Sequence, residues 1–271
     1  MFPDNEQKPS LRNPLKRECK STSVGSSNLL EDKVLKRLLG LGVVVGLLFT
    51  VAPSAHASTD VVAHQGYGGS YTTAARQGAT LEGDMQLTED NKVVIYHNAR
   101  LSRVCFGKSL IKTLTWRQIH ACDAKVIQLG TLLNIAKSNG VKVSLEFKSN
   151  GGKKWTKSRM RIVKRELSKY SMLNHRTEMY SFSYSLMKRW RSVTKRTLSG
   201  LNVNKASKLS PTKIKRAGGR VAVSDAIVNR EKVQWLRGKG IYVSIYTART
   251  QAQLQRMKAM GPNEIITDIH F

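Results

Sequence analysis

From Thr59 onward, short apolar segments alternate with longer basic amphipathic segments. The apolar segments predict strands at residues 61–63, 80–85, 141–147, 178–182, 198–203, 221–228, 241–246 and 264–268. The amphipathic segments, several of which stop at glycine, predict helices at residues 157–170, 186–195, 211–217, 231–239 and 251–260. Alternation of strand and helix predicts a parallel sheet, and eight such strands close a (β/α)8 TIM barrel, an α/β fold in a single domain.

One segment, residues 92–113, fits no single strand-and-helix unit. We expect it to leave the barrel as a short strand at residues 93–96, followed by a loop that holds Cys105. Long loops on such a scaffold are usually functional.

The N-terminus has the order of a secretory signal. A polar stretch, residues 1–32, precedes three basic residues and an apolar run over residues 38–52, and the small-x-small pattern Ala55-His56-Ala57 follows. We predict cleavage after Ala57, so that residues 1–57 form an N-terminal extension with a signal peptide and residues 58–271 form the barrel. The protein is then secreted or associated with the cell envelope. An uncleaved membrane anchor is the alternative.

The charge balance narrows the class of partner. The chain has 46 Lys and Arg against 18 Asp and Glu, and residues 58–271 keep 38 and 13 of them, a net charge of +25. Such a field favours polyanions, namely nucleic acid, an anionic membrane surface or the phosphate-rich polymers of a cell wall. Export favours an anionic envelope surface, and no nucleic-acid-binding motif is present. Each basic run taken alone is typical of a solvated helix face.

Two cysteines, Cys105 and Cys122, lie in the predicted mature chain, while Cys19 lies in the segment removed. In an exported protein such a pair favours one disulfide. Two buried free thiols are the alternative.

The polar residues that carry chemistry lie at predicted strand ends. His64 follows the first strand, Glu82 and Asp84 alternate on the second, His97 follows the next short strand, and Glu146 lies near the end of the third. Residues i and i+2 of a strand point to the same face. Buried carboxylates need a cation or raised pKa values, and oxygen ligands suit Ca²⁺ or Mg²⁺. Two histidines supply the base and the acid that phosphodiester cleavage needs.

These residues stand in motifs that resemble the glycerophosphodiester phosphodiesterase family, which is related to sphingomyelinase D. The resemblance covers about residues 59–271, and its first three blocks, in this order, are the specific ones. The matching segments are His64-Gln65-Gly66, residues 78–90, 93–98 with Leu101 and Arg103, 114–116, 145–148, 181–183 and 265–268.

The resemblance implies Glu82, Asp84 and Glu146 as ligands of one divalent cation and His64 and His97 as the catalytic acid and base. It also implies Lys148 as a contact of the substrate phosphate. Internal attack by a neighbouring hydroxyl, through a cyclic phosphate that water opens, is the reaction that the family implies.

The chain also departs from the family pattern. Gln65 replaces an arginine that would bind phosphate in two bonds, and Asn98 replaces an aspartate. The family's Pro-Glu-Asn-Thr segment is replaced by the short turn at residues 67–70, and Tyr246 stands where a tryptophan is common. We assign Gln65 and Tyr246 to substrate binding.

The leading hypothesis is an exported, metal-dependent phosphodiester hydrolase acting on glycerophosphodiesters or on teichoic-acid-like glycerolphosphate polymers. One alternative is a phospholipase D-like or sphingomyelinase-like enzyme on membrane lipid, which needs an exposed apolar loop. Tyr67, Phe106 and Ile111 could contribute to such a loop. A barrel that binds polyanions or cell wall without turnover is the other. The sequence leaves open the oligomeric state and which histidine is the acid.

Overall fold

The computed structural model describes residues 59–149 and 151–270. Its strands in chain order are β1 (Asp60–Ala63), β2 (Thr80–Leu87), β3 (Val93–Ile95), β4 (Arg100–Cys105), β5 (Lys108–Leu110), β6 (Ile127–Gln128), β7 (Val143–Phe147), β8 (Thr177–Tyr180), β9 (Leu198–Val203), β10 (Arg220–Ser224), β11 (Tyr242–Ala248) and β12 (Glu264–Thr267). Within this part of the chain, β1, β2 and β7–β12 form a closed barrel of eight parallel strands.

The pairing of β1 closes the barrel. Ala63 pairs with Thr267 of β12 on one side and with Leu81 of β2 on the other. The neighbouring pairs from β2–β7 to β11–β12 also run parallel. The structure therefore confirms the predicted (β/α)8 TIM barrel.

Most helices pack outside this ring, each after a strand. They are α1 (Gln65–Gly69), α2 (Tyr71–Arg76), α3 (Trp116–Cys122), α4 (Leu129–Ser138), α5 (Lys157–Lys169), α6 (Tyr184–Val193), α7 (Pro211–Ala217), α8 (Arg230–Gly238) and α9 (Gln251–Ala259). Helices α5 to α9 begin where a side-chain oxygen accepts a hydrogen bond from a backbone N–H of the first turn, which satisfies a donor that the helix cannot. These N-terminal caps are Thr156, Ser183, Ser210, Asn229 and Thr250.

Helices α5 to α9 begin and end within two residues of their predicted limits. The sixth barrel strand differs more, because β10 ends at Ser224 rather than at residue 228. The Ser224 side chain accepts a hydrogen bond from the Ala226 N–H and caps a 3-10 turn over Asp225–Ile227. A capped turn is incompatible with continued strand pairing, so the prediction was too long there.

The excursion after β3 is more ordered than the predicted loop. Strand β3 pairs antiparallel with β2, and β4 and β5 form a hairpin that turns at Phe106 and Gly107, both with positive φ. The hairpin, α3 and the chain around them enclose a separate apolar cluster of Val94, Leu101, Cys105, Ile111, Leu114, Ile119 and Val126. The prediction of a loop around Cys105 is therefore wrong, because Cys105 lies in β4.

Cys105 ends β4 and Cys122 ends α3. Their Cα atoms lie 5.9 Å apart, a separation that a disulfide spans. The geometry is compatible with the pairing, which stays a prediction.

No helix in the described residues is long and apolar enough to cross a membrane. The predicted signal and extension, residues 1–57, lie outside those residues.

Candidate active site

A cavity of about 210 Å³ opens at the carboxyl ends of the barrel strands, the end where such barrels carry their chemistry. Its wall combines acidic, basic and aromatic side chains. The lining residues are His64, Glu82, Asp84, His97, Ser144, Glu146, Lys148, Tyr180, Phe182, Asn202, Tyr246, Thr247, Arg249 and Ile266. All residues that the sequence assigned to catalysis, metal binding or substrate binding line this cavity, except Gln65.

The three carboxylates share one face of two neighbouring strands. Glu82 and Asp84 alternate along β2, and Asp84 pairs in register with Glu146 of β7. Gly83 between them faces outward, where a Cβ atom would stand 3.0 Å from Leu132 and 3.1 Å from Ile95. A larger residue at position 83 would push α4 and β3 away from β2, so the close packing behind the strand requires glycine.

Lys148 is the cation closest to these acids. Its Nζ lies 3.3 Å from Oδ1 of Asp84 and 3.5 Å from Oε1 of Glu146. The amide of Asn202 donates to Oε2 of Glu146 at 2.8 Å. Oδ2 of Asp84 is buried and has no hydrogen-bond partner among the described residues. One acceptor of the site therefore lacks the compensation that a buried charge needs.

Burial and mutual repulsion shift the proton equilibria. Burial, with the charge of Asp84, raises the pKa of Glu82 well above its ordinary value. Burial raises the pKa of Glu146 to about 7, although Lys148 opposes the shift. Burial alone would lower the pKa of Lys148, but the surrounding carboxylates outweigh it and raise that pKa. With Lys148 as their nearby cation, the three acids are therefore not all ionised at neutral pH unless further positive charge is bound.

These donors fit a divalent cation. Among residues 59–149 and 151–270, no group of three or more His, Cys, Asp or Glu side chains stands close enough together to hold a metal ion, and Lys148 lies between Asp84 and Glu146. Even so, Oδ2 of Asp84 has no partner among the described residues, and burial disfavours the ionised form of Glu82. Ca²⁺ or Mg²⁺, which prefer carboxylate oxygen, would occupy that oxygen and favour the ionised carboxylates.

Each predicted catalytic histidine is oriented by a neighbour. Nδ1 of His64 lies 2.6 Å from Oδ1 of Asp268, and Nδ1 of His97 lies 2.9 Å from Oδ1 of Asn98. Both neighbours accept through oxygen, so a neutral imidazole carries its proton on Nδ1 and leaves Nε2 as an acceptor. Asn98 therefore still fixes the ring of His97, as an aspartate would.

The chain turns sharply directly after His64. All residues of α1 have positive φ, so this turn is left-handed. A Cβ on Gly66 would lie 2.7 Å from the backbone nitrogen of Tyr71, so the turn excludes a side chain there. The turn aims the backbone N–H of Gln65 at Oε2 of Glu82, at 3.0 Å. The side-chain amide of Gln65 lies 3.4 Å from Nε2 of His64. In this structure Gln65 contacts the acid and the histidine, and its role in substrate binding stays a prediction.

Sequence reasoning missed several residues of the site. Asp268 follows β12, and Arg249 places its Nε 3.5 Å from Oδ2 of that carboxylate. Phe182 faces the ring of Tyr246, whose hydroxyl donates to the Val203 carbonyl and leaves the ring as cavity wall. The signal for Asp268 was its position one residue beyond a strand that flanks β1.

A parallel barrel whose strand ends gather two histidines, three carboxylates and a lysine has the groups that a phosphodiester hydrolase needs. The sequence model of the Glycerophosphoryl diester phosphodiesterase family matches residues 64–269. The chain belongs to this family and is a phosphoric diester hydrolase of the glycerophosphodiester phosphodiesterase type. The family generally depends on a divalent metal.

Several known proteins are similar to this chain in sequence or in fold. The Bacillus subtilis (strain 168) protein named "Putative glycerophosphodiester phosphodiesterase YhdW" is 22% identical over 231 residues, 77% of this chain and 93% of that one. A glycerophosphodiester phosphodiesterase of Parabacteroides distasonis superposes with a TM-score of 0.66 at 22% identity, covering 78% of this chain and 92% of its own. A phosphodiesterase of Oleispira antarctica, in complex with the product sn-glycerol-3-phosphate, gives 0.67 at 18% identity, covering 77% and 92%.

Proposed function

We propose that the enzyme cleaves glycerophosphodiesters to glycerol phosphate and an alcohol, with His64 and His97 as acid and base and with one Ca²⁺ or Mg²⁺. The observation that carries the proposal is that both imidazoles line the same cavity as Glu82, Asp84 and Glu146. The product named for the Oleispira antarctica relative has the same chemistry.

The chemistry can be written in two proton-balanced steps. One histidine accepts, on Nε2, the proton of the hydroxyl next to the phosphodiester, whose oxygen attacks phosphorus, and the other protonates the departing alcohol oxygen. The resulting cyclic phosphate is opened by water with the two roles reversed. Asp268 and Asn98 hold the imidazoles through these transfers by accepting from Nδ1.

The carboxylates and Lys148 prepare the site for the phosphate. Glu82, Asp84 and Glu146 would hold the cation, which supplies positive charge for the phosphate oxygens. Lys148 is well placed for a phosphate oxygen, since its ammonium already faces the cavity. The rings of Phe182 and Tyr246 form a wall that would contact the glycerol or the alcohol.

Substitution of each histidine tests the proposal. For His64→Ala and His97→Ala we expect hydrolysis of sn-glycero-3-phosphocholine to fall about a hundredfold or more, as loss of a positioned acid or base does. Chelation should abolish the activity and added Ca²⁺ or Mg²⁺ restore it. His175→Ala, at an exposed position outside the cavity wall, is the matched control. Full activity in either cavity variant would exclude the two-histidine mechanism.

We also propose that the enzyme is exported and works at an anionic envelope surface. The order of residues 33–57 and the charge of +25 on residues 58–271 support this location. Fractionation of cells that produce the full chain should recover the mature protein outside the cytoplasm, with its N-terminus at Ser58. Recovery of the intact chain in the cytoplasm would contradict it.

A lipid substrate is the second candidate, and one surface favours it. Of the three residues expected to form an apolar loop, Tyr67 and Ile111 are buried, so that expectation was wrong for them. Phe106 is 65% exposed, and Val104 beside it on the β4–β5 hairpin is 71% exposed. Headgroup release from liposomes, compared with turnover of soluble glycerophosphodiesters, separates the candidates. Loss of liposome activity alone in Phe106→Ser would favour lipid.

A further inference from the structure

A second groove shares one lining residue, Lys148, with the cavity. The groove has a volume of about 470 Å³ and runs between the chain that follows β7 and the start of α6. The groove therefore lies next to the cavity, on the side of Lys148.

The groove wall is strongly cationic. It contains Lys148, Lys153, Lys154, Lys157 and Arg189, and no acidic residue is among its described lining residues. The first turns of α5 and α6 also lie along it, and helix N-termini favour anions. The groove is therefore a local site of uncompensated positive charge among its described lining residues.

The cationic side chains of the groove differ in whether they already make hydrogen bonds within the protein. The ammonium of Lys153 donates to the Glu89 carbonyl, and the Arg189 guanidinium donates to the Trp155 carbonyl. Lys154 and Lys157 are exposed, and within residues 59–149 and 151–270 their ammonium groups make no hydrogen bond or ion pair. These two are the side chains available to an incoming anion, while Lys153 and Arg189 are fixed and add charge.

We propose that this groove binds a second phosphate of the substrate, and that the substrate is a chain of glycerol units joined by phosphodiesters. The inference rests on the proposed function, because the phosphodiester being cleaved must lie at Lys148. A glycerophosphodiester with one phosphate leaves the groove empty. A glycerolphosphate chain carries the next phosphate on its leaving alcohol, on the side where Lys154 and Lys157 lie.

The test compares one phosphate with several. For Lys154→Gln/Lys157→Gln we expect kcat/KM on a short glycerolphosphate oligomer to fall about tenfold, mainly through KM, at low salt. The value for sn-glycero-3-phosphocholine should stay unchanged. The salt dependence of KM for the oligomer should also become shallower, since each lost phosphate contact lowers the slope by about one.

Lys137→Gln/Lys169→Gln is the matched control. Both lysines lie in the last turns of α4 and α5, at the opposite end of the barrel from the groove, and the change in net charge is the same. The control should keep activity on both substrates. An equal loss on the oligomer in control and groove variant would mean that overall charge acts, and would overturn the proposal.

Two further measurements distinguish a failure of the groove proposal from a failure of the proposed hydrolysis. Binding of the oligomer to His97→Ala, with and without the groove substitutions, tests the groove without turnover. Binding weakened by the substitutions supports the groove even if hydrolysis fails, and unchanged binding overturns it. Glycerophosphoinositol phosphate, which carries a second phosphate without a chain, distinguishes the source. If the groove substitutions also lower kcat/KM for this ester, the result supports a second-phosphate site and overturns its assignment to a polymer.

Discussion

The barrel contains two groups of buried carboxylates, and their surroundings differ. At the carboxyl ends of the strands, Glu82, Asp84 and Glu146 surround the active-site cavity. At the opposite end, Glu178 lies second in β8 and Glu264 first in β12. We call this second group, with the Arg220 that begins β10, the floor cluster.

The floor cluster contains its own counter-charge. Nη2 of Arg220 lies 2.8 Å from Oε1 of Glu178 and 3.3 Å from Oε1 of Glu264. Ser244 donates to the other oxygen of Glu264 at 2.7 Å, Tyr180 donates to Glu178, and the guanidinium stacks on the ring of Tyr242. The guanidinium and both carboxylates are therefore partnered within the barrel.

The carboxylates of the active-site cavity are less completely paired. Its ammonium, Lys148, lies at 3.3 and 3.5 Å from its two carboxylates, and Oδ2 of Asp84 has no partner among the described residues. The barrel thus pairs its buried acids closely with its own side chains at one end and only partly at the other.

Removal of the floor cation should destabilise the fold most. Arg220→Met leaves two carboxylates buried without a cation, and we expect the free energy of unfolding to fall by about 3–5 kcal/mol. Arg165→Met, at an exposed position of α5, should change it by less than about 0.5 kcal/mol. Urea unfolding measures both. A change at Arg220 as small as that at Arg165 would mean that the floor acids do not depend on the guanidinium.

At the active-site end, removal of one charge should affect activity instead of stability. Asp84→Asn removes a proposed ligand, and we expect kcat/KM to fall about a thousandfold, about 4 kcal/mol of transition-state stabilisation. Stability without added cation should not fall, because repulsion among the acids decreases. Hydrolysis assays and urea unfolding of the same preparation measure the two effects. Marked destabilisation would show that Asp84 is structural.

The sequence predicted one of these carboxylate groups and not the other, for a physical reason. Glu82 and Asp84 interrupt the middle of an apolar strand, where an acid must face the barrel interior. Glu178 and Glu264 begin predicted strands, where a glutamate is equally typical of the solvent-exposed rim of a barrel. Only the register that sets Arg220 of β10 between them shows that they face inward.

Local pattern was sufficient for the strands and helices of the barrel and insufficient for contacts between distant strands. Asn202 of β9 reaches Glu146 of β7 past the strand between them, and Asp268 reaches His64 at the point of closure. The roles proposed for His64 and His97 came from the family motifs, because periodicity says nothing about them. The β4–β5 hairpin was missed because its strands are short and mostly exposed.

A divalent cation should stabilise the active-site end specifically. At a concentration one hundred times its dissociation constant, a bound ion adds about 2.7 kcal/mol to the free energy of unfolding. We expect Ca²⁺ or Mg²⁺ to raise the Tm of the native chain and of Glu178→Gln, and to leave that of Asp84→Asn unchanged. Thermal unfolding with chelator as the reference measures this. An equal rise in Asp84→Asn would place the ion elsewhere.

The proton balance of the floor cluster gives the smallest effect. Burial, with the charge of Glu264, raises the pKa of Glu178 to about 8 despite Arg220, so the folded protein keeps a proton that the unfolded chain releases at an ordinary pKa of about 4.5. The contribution of this proton to stability is complete below pH 4.5 and is lost as the pH rises towards 8. Between pH 6 and 7.5 the native chain should lose about 2 kcal/mol relative to Glu178→Gln, whose amide does not titrate. Parallel stability profiles for the two proteins would show that Arg220 keeps Glu178 ionised.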